Sequence, residues 1–468
     1  MFPSSISHCE TRSQKPWQFF GLGLLFFPLS PFLGGLCIVT ATAWVWRQQF
    51  GAIIRSRLNQ GLMIFCLLLV ISASTAIDPK TAWLGLFNFI PFIVIFAALS
   101  LLLRGPEQLR QIAWNIQIAS IPVVAIGIGQ MYSGWHGPIE ILWVLVDWQL
   151  EPNGTPPDRM ASVFEYANTL ASYSLIVWLL GLGLWIETYR TVRQLTPAQV
   201  ESRYGRQMQW RWRFLSAVSI GQVIVLTATS SRTAWGVAIL GGLAYALYLG
   251  WRWLVGGVLS LSAVVLGAVF APSPINQGLR AIVPQFIWAR LTDELYPDRP
   301  LAQLRSTQWQ FAVRMTLERP GTGWGLRNFT PLYEQQMHLW LGHPHNLVLM
   351  LSAETGIPAT VLLLGLVGWA VGSGVKTLRA QIPASEAEKG DRLIYFSYLV
   401  TFIGITLFHG LDITLFDARI NLLGWLLLAG IWGNAQQVSG AADKEKSDRQ
   451  KKFDPDGNLF LSRDDYYP

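Results

Sequence analysis

Residues 342–356 read GHPHNLVLMLSAETG. Two histidines and an asparagine stand at the lip of an apolar run, and a carboxylate, Glu354, is carried inside it. Ionisable groups at membrane depth are expensive, and they mark sites or pathways more often than they mark packing. His345 opens the run next to Asn346; imidazole titrates near neutral pH and can take the proton of a hydroxyl. Arg159, in PPDRMASVFEYANTL, and Arg232, in TATSSRTAWG, precede two other apolar runs. The planar guanidinium fork donates several charge-assisted hydrogen bonds to an oxyanion such as phosphate. His409, Asp412, Asp417 and Arg419 gather at another predicted turn. Taken together these residue types ask for a lipid-embedded, phosphate-bearing substrate and a reaction in which a hydroxyl loses its proton.

The elements that must position them are transmembrane helices. Hydrophobic residues make up 51% of the 468 residues, with 22 tryptophans, and only 13% are charged. Soluble domains carry about 25% charged residues. Apolar runs of about 20 residues, the length that crosses a ~30 Å hydrocarbon layer as a helix, recur along the chain. We expect an all-α integral membrane protein with about twelve spans and one long, partly helical extracytoplasmic loop before the tenth. The first two runs form a hairpin broken at Pro28 and Pro31. No cleavable signal peptide is expected, since the first run lacks a small-residue cleavage site. The expected division is a bundle over 1–271, a loop over 272–344, a second bundle over 345–434 and a disordered cytoplasmic tail over 435–468.

Positive charge in short loops marks the cytoplasmic face. Most of the 35 Lys and Arg residues, including the cluster Arg190–Arg213, share one side with the N-terminus. Both termini are therefore expected inside, with 134–160 and 272–344 outside. The net charge of +7 is thus a topology signal, with some attraction to anionic lipid, and does not point to nucleic acid. Cys9, Cys37 and Cys66 make no disulfide framework and no CxxC metal site. DPDGN in the tail lacks the glycine and glutamate of a calcium loop and reads as a polar turn.

Within the long loop, LAQLRSTQWQFAVRMTLERPGTG sets Leu301, Leu304, Phe311 and Met315 near one helical face and stops at Pro320-Gly321. It predicts an amphipathic helix lying on the membrane or capping the bundle. LRAIVPQFIWARLTDEL predicts a second, in two pieces broken at Pro284. In GTGWGLRNF, Gly323 and Gly325 have no strand–loop–helix frame and so do not make a dinucleotide loop. They fit either a turn where backbone approaches a sugar or phosphate closely, or a re-entry turn. A histidine at a membrane interface also anchors a helix at headgroup level, which suffices for His136 and His338 and serves equally for His343. Asn346 fits a helix N-cap as well as it fits a support for the imidazole.

His345-Asn346, nine residues, then Gly356 resembles the H-N-x9-G-x-x-[GTY] signature of the O-antigen ligase and polymerase superfamily, with Ala359 departing at the last position. The run with Arg305, Trp309, Ala312, Met315, Pro320, Gly323, Asn328 and Phe329 is similar to the family as well, as are SRTAW around Arg232 and RMASVFEYANTLASY with Arg159 and Asn168. The resemblance covers roughly 155–430. It implies a metal-independent, cofactor-free, inverting glycosyltransferase at the outer face of the bacterial inner membrane. The implied donor is a glycan on undecaprenyl diphosphate, and the implied acceptor a sugar hydroxyl on lipid A–core or on a second lipid-linked chain. On this pattern His345 would orient or deprotonate the acceptor hydroxyl, Arg159 and Arg232 would bind the diphosphate, and Arg305 would be a third contact to it. Asn346, His343, Gly323 and Gly325 support them. The pattern is closest to a cyanobacterial branch once named for bicarbonate transport, so small-anion transport is one alternative, and a non-catalytic part of a polysaccharide assembly is another. Apolar centres in most spans and costly residues gathered at one face favour the enzyme over a transporter, whose sites lie at mid-membrane.

Overall fold

The computed structural model describes residues 14–142, 145–292 and 300–451. A helical hairpin opens the bundle: α1 (Gln14–Phe26) and α2 (Pro31–Arg55) lie side by side, parted at Pro28 and Pro31. α3 (Arg57–Ser74) follows, and then α4 (Pro79–Gly85), a 3-10 turn at Leu86–Asn88 and α5 (Ile90–Leu102) share one crossing. α6 (Pro106–Tyr132) leads into a two-stranded antiparallel hairpin, β1 (Ile139–Ile141) and β2 (Val146–Trp148). Next come α7 (Ala167–Arg193), α8 (Pro197–Glu201), α9 (Arg203–Ala228), α10 (Arg232–Leu249) and α11 (Arg252–Phe270). The long loop holds α12 (Ile275–Ile282), α13 (Gln285–Leu291), α14 (Arg305–Glu318) and α15 (Phe329–Met337). α16 (Leu347–Ala380), α17 (Glu386–His409) and α18 (Ala418–Lys451) complete the chain.

Among the described residues, seven stretches are long and apolar enough to cross a membrane: Arg57–Ser74, Pro79–Leu102, Pro106–Tyr132, Ala167–Arg193, Arg252–Phe270, Leu347–Ala380 and Glu386–His409. This is a helical membrane protein whose strands, among the described residues, are two three-residue pieces of one exposed hairpin. The remaining expected spans coincide with α1, α2, α9, α10 and α18, which are shorter or more polar than those seven. The expected tail differs from the structure: α18 continues as helix through Lys451. Ala441, Ala442, Lys444, Glu445 and Lys446 are all strong helix formers, so helix can run on past the apolar part. Cys9 and DPDGN lie outside the described residues, whereas Cys37 and Cys66 are free thiols.

α7 and α17 form the centre of the bundle, with α7 packed on α6, α9, α10 and α17. Asn168 begins α7 and Glu187 lies near its other end, about 28 Å away at 1.5 Å per residue. That separation is close to the thickness of a hydrocarbon core. At the Glu187 end, Arg110 of α6 bridges Glu187 at 2.7 Å and Asp391 of α17 at 2.5 Å. The candidate catalytic residues are all at the Asn168 end.

α16 is two helical pieces. Gly356 leaves the helical region (φ 80°, ψ 167°), and Pro358 follows it. A break inside a membrane helix frees backbone groups that lipid cannot satisfy. Here the glycine loop satisfies them: Trp324 N–H donates to Ala353 O at 3.0 Å, Gly325 N–H to Glu354 O at 2.8 Å, and Ile357 N–H to Pro320 O at 2.8 Å. Ser72 Oγ on α3 also donates to Glu354 O, at 2.9 Å. The approach is so close that a Cβ on Gly323, itself at φ 67°, would lie 2.4 Å from the Glu354 carbonyl carbon. Leu301, expected on the face of the loop helix, is instead exposed in a 3-10 turn before α14. Phe311 and Met315 are the buried face, packed with Phe329 and Tyr333.

Candidate active site

α16 starts where its capping side chain dictates. Asn346 has extended backbone, and its Oδ1 accepts from Leu349 N–H at 3.0 Å, satisfying one of the free donors of a helix start. Its Nδ2 donates to Gly410 O at 3.0 Å, tying the start of α16 to the end of α17. Of the two roles open to Asn346, the cap is the one formed. Immediately before it, His345 holds φ at 56°, a conformation that costs a non-glycine residue on the order of 1–3 kcal/mol and clusters at functional sites. This conformation turns His345 N–H toward His343 Nδ1, 3.2 Å away, and sets the two rings edge-on with centroids 4.6 Å apart. Asp158 (φ 64°) beside Arg159 and Ser230 (φ 52°) just before Arg232 share the left-handed conformation.

Asp412, in the turn after α17, closes the group. Its Oδ1 lies 3.9 Å from His345 Nε2 and 4.0 Å from His343 Nε2, and the residue is 4% exposed. Asp412 Oδ2 accepts from Asn168 Nδ2, and Asn168 Oδ1 accepts from Arg159 Nη2. Arg159 Nε donates to Thr229 O at 2.8 Å, in the turn between α9 and α10. Arg232 opens α10 three residues further on. Arg305 opens α14, and its charge acts on both His343 and His345. The structure therefore brings His345, His343 and Arg159 into one network with Asp412 and Asn168, with Arg305 in electrostatic reach.

The other candidates lie apart from this network. Gly323 and Gly325 sit at the break in α16, where Gly323 permits a close approach to the backbone of α16 and Gly325 one to Ala76, just after α3. Glu354 meets the start of the loop helix α15. Its Oε1 accepts from Phe329 N–H at 3.2 Å, at the N-terminus of α15, where the helix dipole favours a carboxylate. His338 holds the left-handed position that ends α15, and His136 Nδ1 bonds Gly134 O at 2.9 Å. Arg419 pairs with Asp417 and donates to Pro28 O and Val163 O, so this pair fastens α18 to the neighbouring turns.

One residue of the site escaped the sequence reading. Gln308 Oε1 lies 2.9 Å from His345 Nδ1. It was legible in principle: Gln308, Phe311, Ala312 and Met315 form the buried stripe of α14, and a glutamine in such a stripe needs a partner.

Both rings are held neutral. Burial pushes His343 down to about 3, helped by His345 and the Arg305 guanidinium. Burial also lowers His345; Asp412 opposes the shift and Arg305 adds to it. A neutral imidazole can accept a proton, and the facing carboxylate stabilises the cation that results.

His343, His345 and Asp412 each offer one donor atom within 4.8 Å of the others, and two histidines with a carboxylate can ligate a divalent metal. Two features fit a cation poorly. The charge of Arg305 acts on both rings. His343 Nδ1 accepts the N–H of His345, so in the neutral ring Nε2 carries the proton and has no lone pair for a metal.

Residues 215–364 match the family model described as O-antigen ligase. The matched segment contains Arg232, Arg305, Gln308, His345 and Gly356, and leaves out Arg159, Asn168 and Asp412. No curated protein matches the chain. The matched segment, shorter than half of the chain, is similar to the O-antigen ligase family and supports a relationship with the O-antigen ligase and polymerase superfamily.

Proposed function

We propose that this protein is a membrane glycosyltransferase that moves a glycan from a polyprenyl diphosphate, of the undecaprenyl type, to a sugar hydroxyl. The reaction takes place at the outer face of the bacterial inner membrane, with both chain termini in the cytoplasm. One observation carries the reading: a neutral, partly buried imidazole, His345, faces a buried carboxylate that is bridged by Asn168 to the guanidinium of Arg159. Base and oxyanion binder are thereby held in one frame.

His345 Nε2 takes the proton of the acceptor hydroxyl as its oxygen attacks the anomeric carbon. The bond from that carbon to the diphosphate oxygen breaks, and the electron pair leaves with the diphosphate. Arg159 and Arg305, with Arg232 at the head of α10, stabilise the charge growing there, by the electrostatic logic of an oxyanion hole. Attack opposite the leaving group inverts the anomeric configuration. The acceptor is a sugar of lipid A–core or of a second lipid-linked glycan. The diphosphate is itself the activated leaving group, so no nucleotide is needed.

The test is His345→Ala in cells, with membrane insertion checked by immunoblot. Loss of surface glycan together with accumulation of lipid-linked donor is the expected outcome. Normal surface glycan in both His345→Ala and Arg159→Ala cells would sink the assignment.

A further inference from the structure

We infer that Gln308 is a positioning residue that decides which nitrogen of His345 carries the ring proton. The inference rests on the reading of His345 as the base, and it deepens that reading by extending the site into the loop helix α14.

Gln308 is 1% exposed. Its Nε2 faces two backbone carbonyls, Gln303 O at 3.3 Å and Ala302 O at 3.5 Å. Carbonyl oxygens only accept, so this end of the amide is the NH2 end, and the opposite end is the carbonyl oxygen. That oxygen lies 2.9 Å from His345 Nδ1. An acceptor at hydrogen-bond distance from a neutral imidazole nitrogen requires N–H there. His345 is therefore held with its proton on Nδ1, and its lone pair is on Nε2, the nitrogen that faces Asp412 Oδ1 at 3.9 Å.

The opposite tautomer would set two lone pairs against each other at the Gln308 contact. It would also point an N–H into the place where a proton must be received. A carboxylate commonly fixes a catalytic imidazole in hydrolase triads, and it also raises the proton affinity of the ring. Gln308 is neutral, so it fixes the tautomer without that charge and leaves Asp412 as the facing carboxylate. The carbonyls that orient the glutamine belong to the turn Leu301–Gln303 ahead of α14. Seating of the loop helix and readiness of the base are thus one event.

The experiment uses the full-length protein in detergent, labelled with 15N-histidine. The chain has 6 histidines, and His345 is assigned by the signal lost in His345→Gln. The inference expects a neutral Nδ1–H tautomer for His345 in the wild type at pH 7.5, and its collapse to a mixture in Gln308→Leu. Gln308→Glu should keep the Nδ1–H form and move the acid limb of the transfer rate upward by about one pH unit or more. In Gln308→Leu, kcat should fall roughly tenfold or more, a part of the 10²–10⁴-fold that a positioned general base supplies, with KM for the lipid-linked donor little changed. A wild-type Nε2–H tautomer, or an unchanged tautomer in Gln308→Leu, overturns the inference. A tautomer that collapses while the transfer rate stays constant sustains the role of Gln308 and overturns His345 as the base. The wild-type spectrum decides the first point even where a variant fails to fold.

Discussion

Asp412 faces His345 across 3.9 Å with one carboxylate oxygen and reaches Arg159 through the Asn168 amide with the other. A single buried carboxylate thus connects the proposed proton acceptor to the proposed binder of the leaving group. Its negative charge opposes the downward pull of burial on His345 and, in the proposed reaction, would stabilise the imidazolium. Asp412→Asn keeps the shape and removes the charge. We expect the transfer rate to fall on the order of 10²–10⁴-fold, the range for a positioned acid–base system, with the fold intact. Product formation from purified lipid-linked donor checks this, and a rate within threefold of wild type would remove Asp412 from the mechanism.

His343 gives the protein an acid sensitivity whose sign follows from its burial. The ring titrates at about 3 in the fold and near ~6.5 when unfolded. Between these values the unfolded chain binds more protons, so stability rises with pH. The contribution is fully present above the unfolded value and is lost as pH falls from there toward the folded one. The slope from this ring is at most about 1.4 kcal/mol per pH unit. Unfolding midpoints in detergent at pH 8 and pH 5 should differ, and His343→Gln should reduce that difference. Transfer itself should keep its rate from pH 8 down through 6.5, because His345 stays neutral there. A rate that halves at pH 6.5 would contradict the lowered titration of His345.

The spacing between His345 and Gly356 shows what the sequence made visible. Asn346 caps α16, the nine residues Leu347–Thr355 form its first helical piece, and Gly356 breaks it. A motif of histidine, asparagine, nine residues and glycine is thus the length of one half-helix, and for that reason it can be read in one dimension. Arg159 and Arg232 were visible for a similar reason, as charges at the edges of apolar runs. Gln308 was visible only as a glutamine in a buried stripe that needs some partner; nothing local names the histidine 37 positions later that it meets. Glu354 was visible as a carboxylate inside an apolar run, but nothing local names its partner, the start of α15 brought alongside by the glycine loop.

Gly356 should be intolerant of any side chain. At φ 80° and ψ 167° it occupies a region essentially reserved for glycine, and an added Cβ would lie 2.4 Å from Gly321 O. Gly356→Ala should destabilise the protein by at least about 1–3 kcal/mol. The same break receives the loop at 320–325, so activity and thermal stability should fall together. A variant with a wild-type unfolding midpoint would mean that α16 can pass through this point unbroken.

The tautomer of His343 bears on metals. With Nε2 protonated, the cluster of His343, His345 and Asp412 presents two ready donors, too few for a tight divalent site. Dialysis against EDTA should leave the transfer rate unchanged. A rate lost to EDTA and restored by zinc or manganese would show that the His343–His345 hydrogen bond gives way to a metal.

Arg159 uses two faces of its guanidinium, Nε on Thr229 O and Nη2 on Asn168. A lysine keeps the charge and has one nitrogen, which cannot span both partners in that geometry. If orientation matters as well as charge, Arg159→Lys should lose nearly as much activity as Arg159→Ala, on the order of 10²–10³-fold, the usual cost of removing one donor to a developing oxyanion. The loss should appear in kcat, because the charge that attracts the diphosphate is still present and KM for the donor then changes little. Steady-state kinetics with lipid diphosphate donor separates the two. Near-wild-type kcat in Arg159→Lys would reduce Arg159 to a point charge and leave the bridge through Asn168 without a role in the reaction.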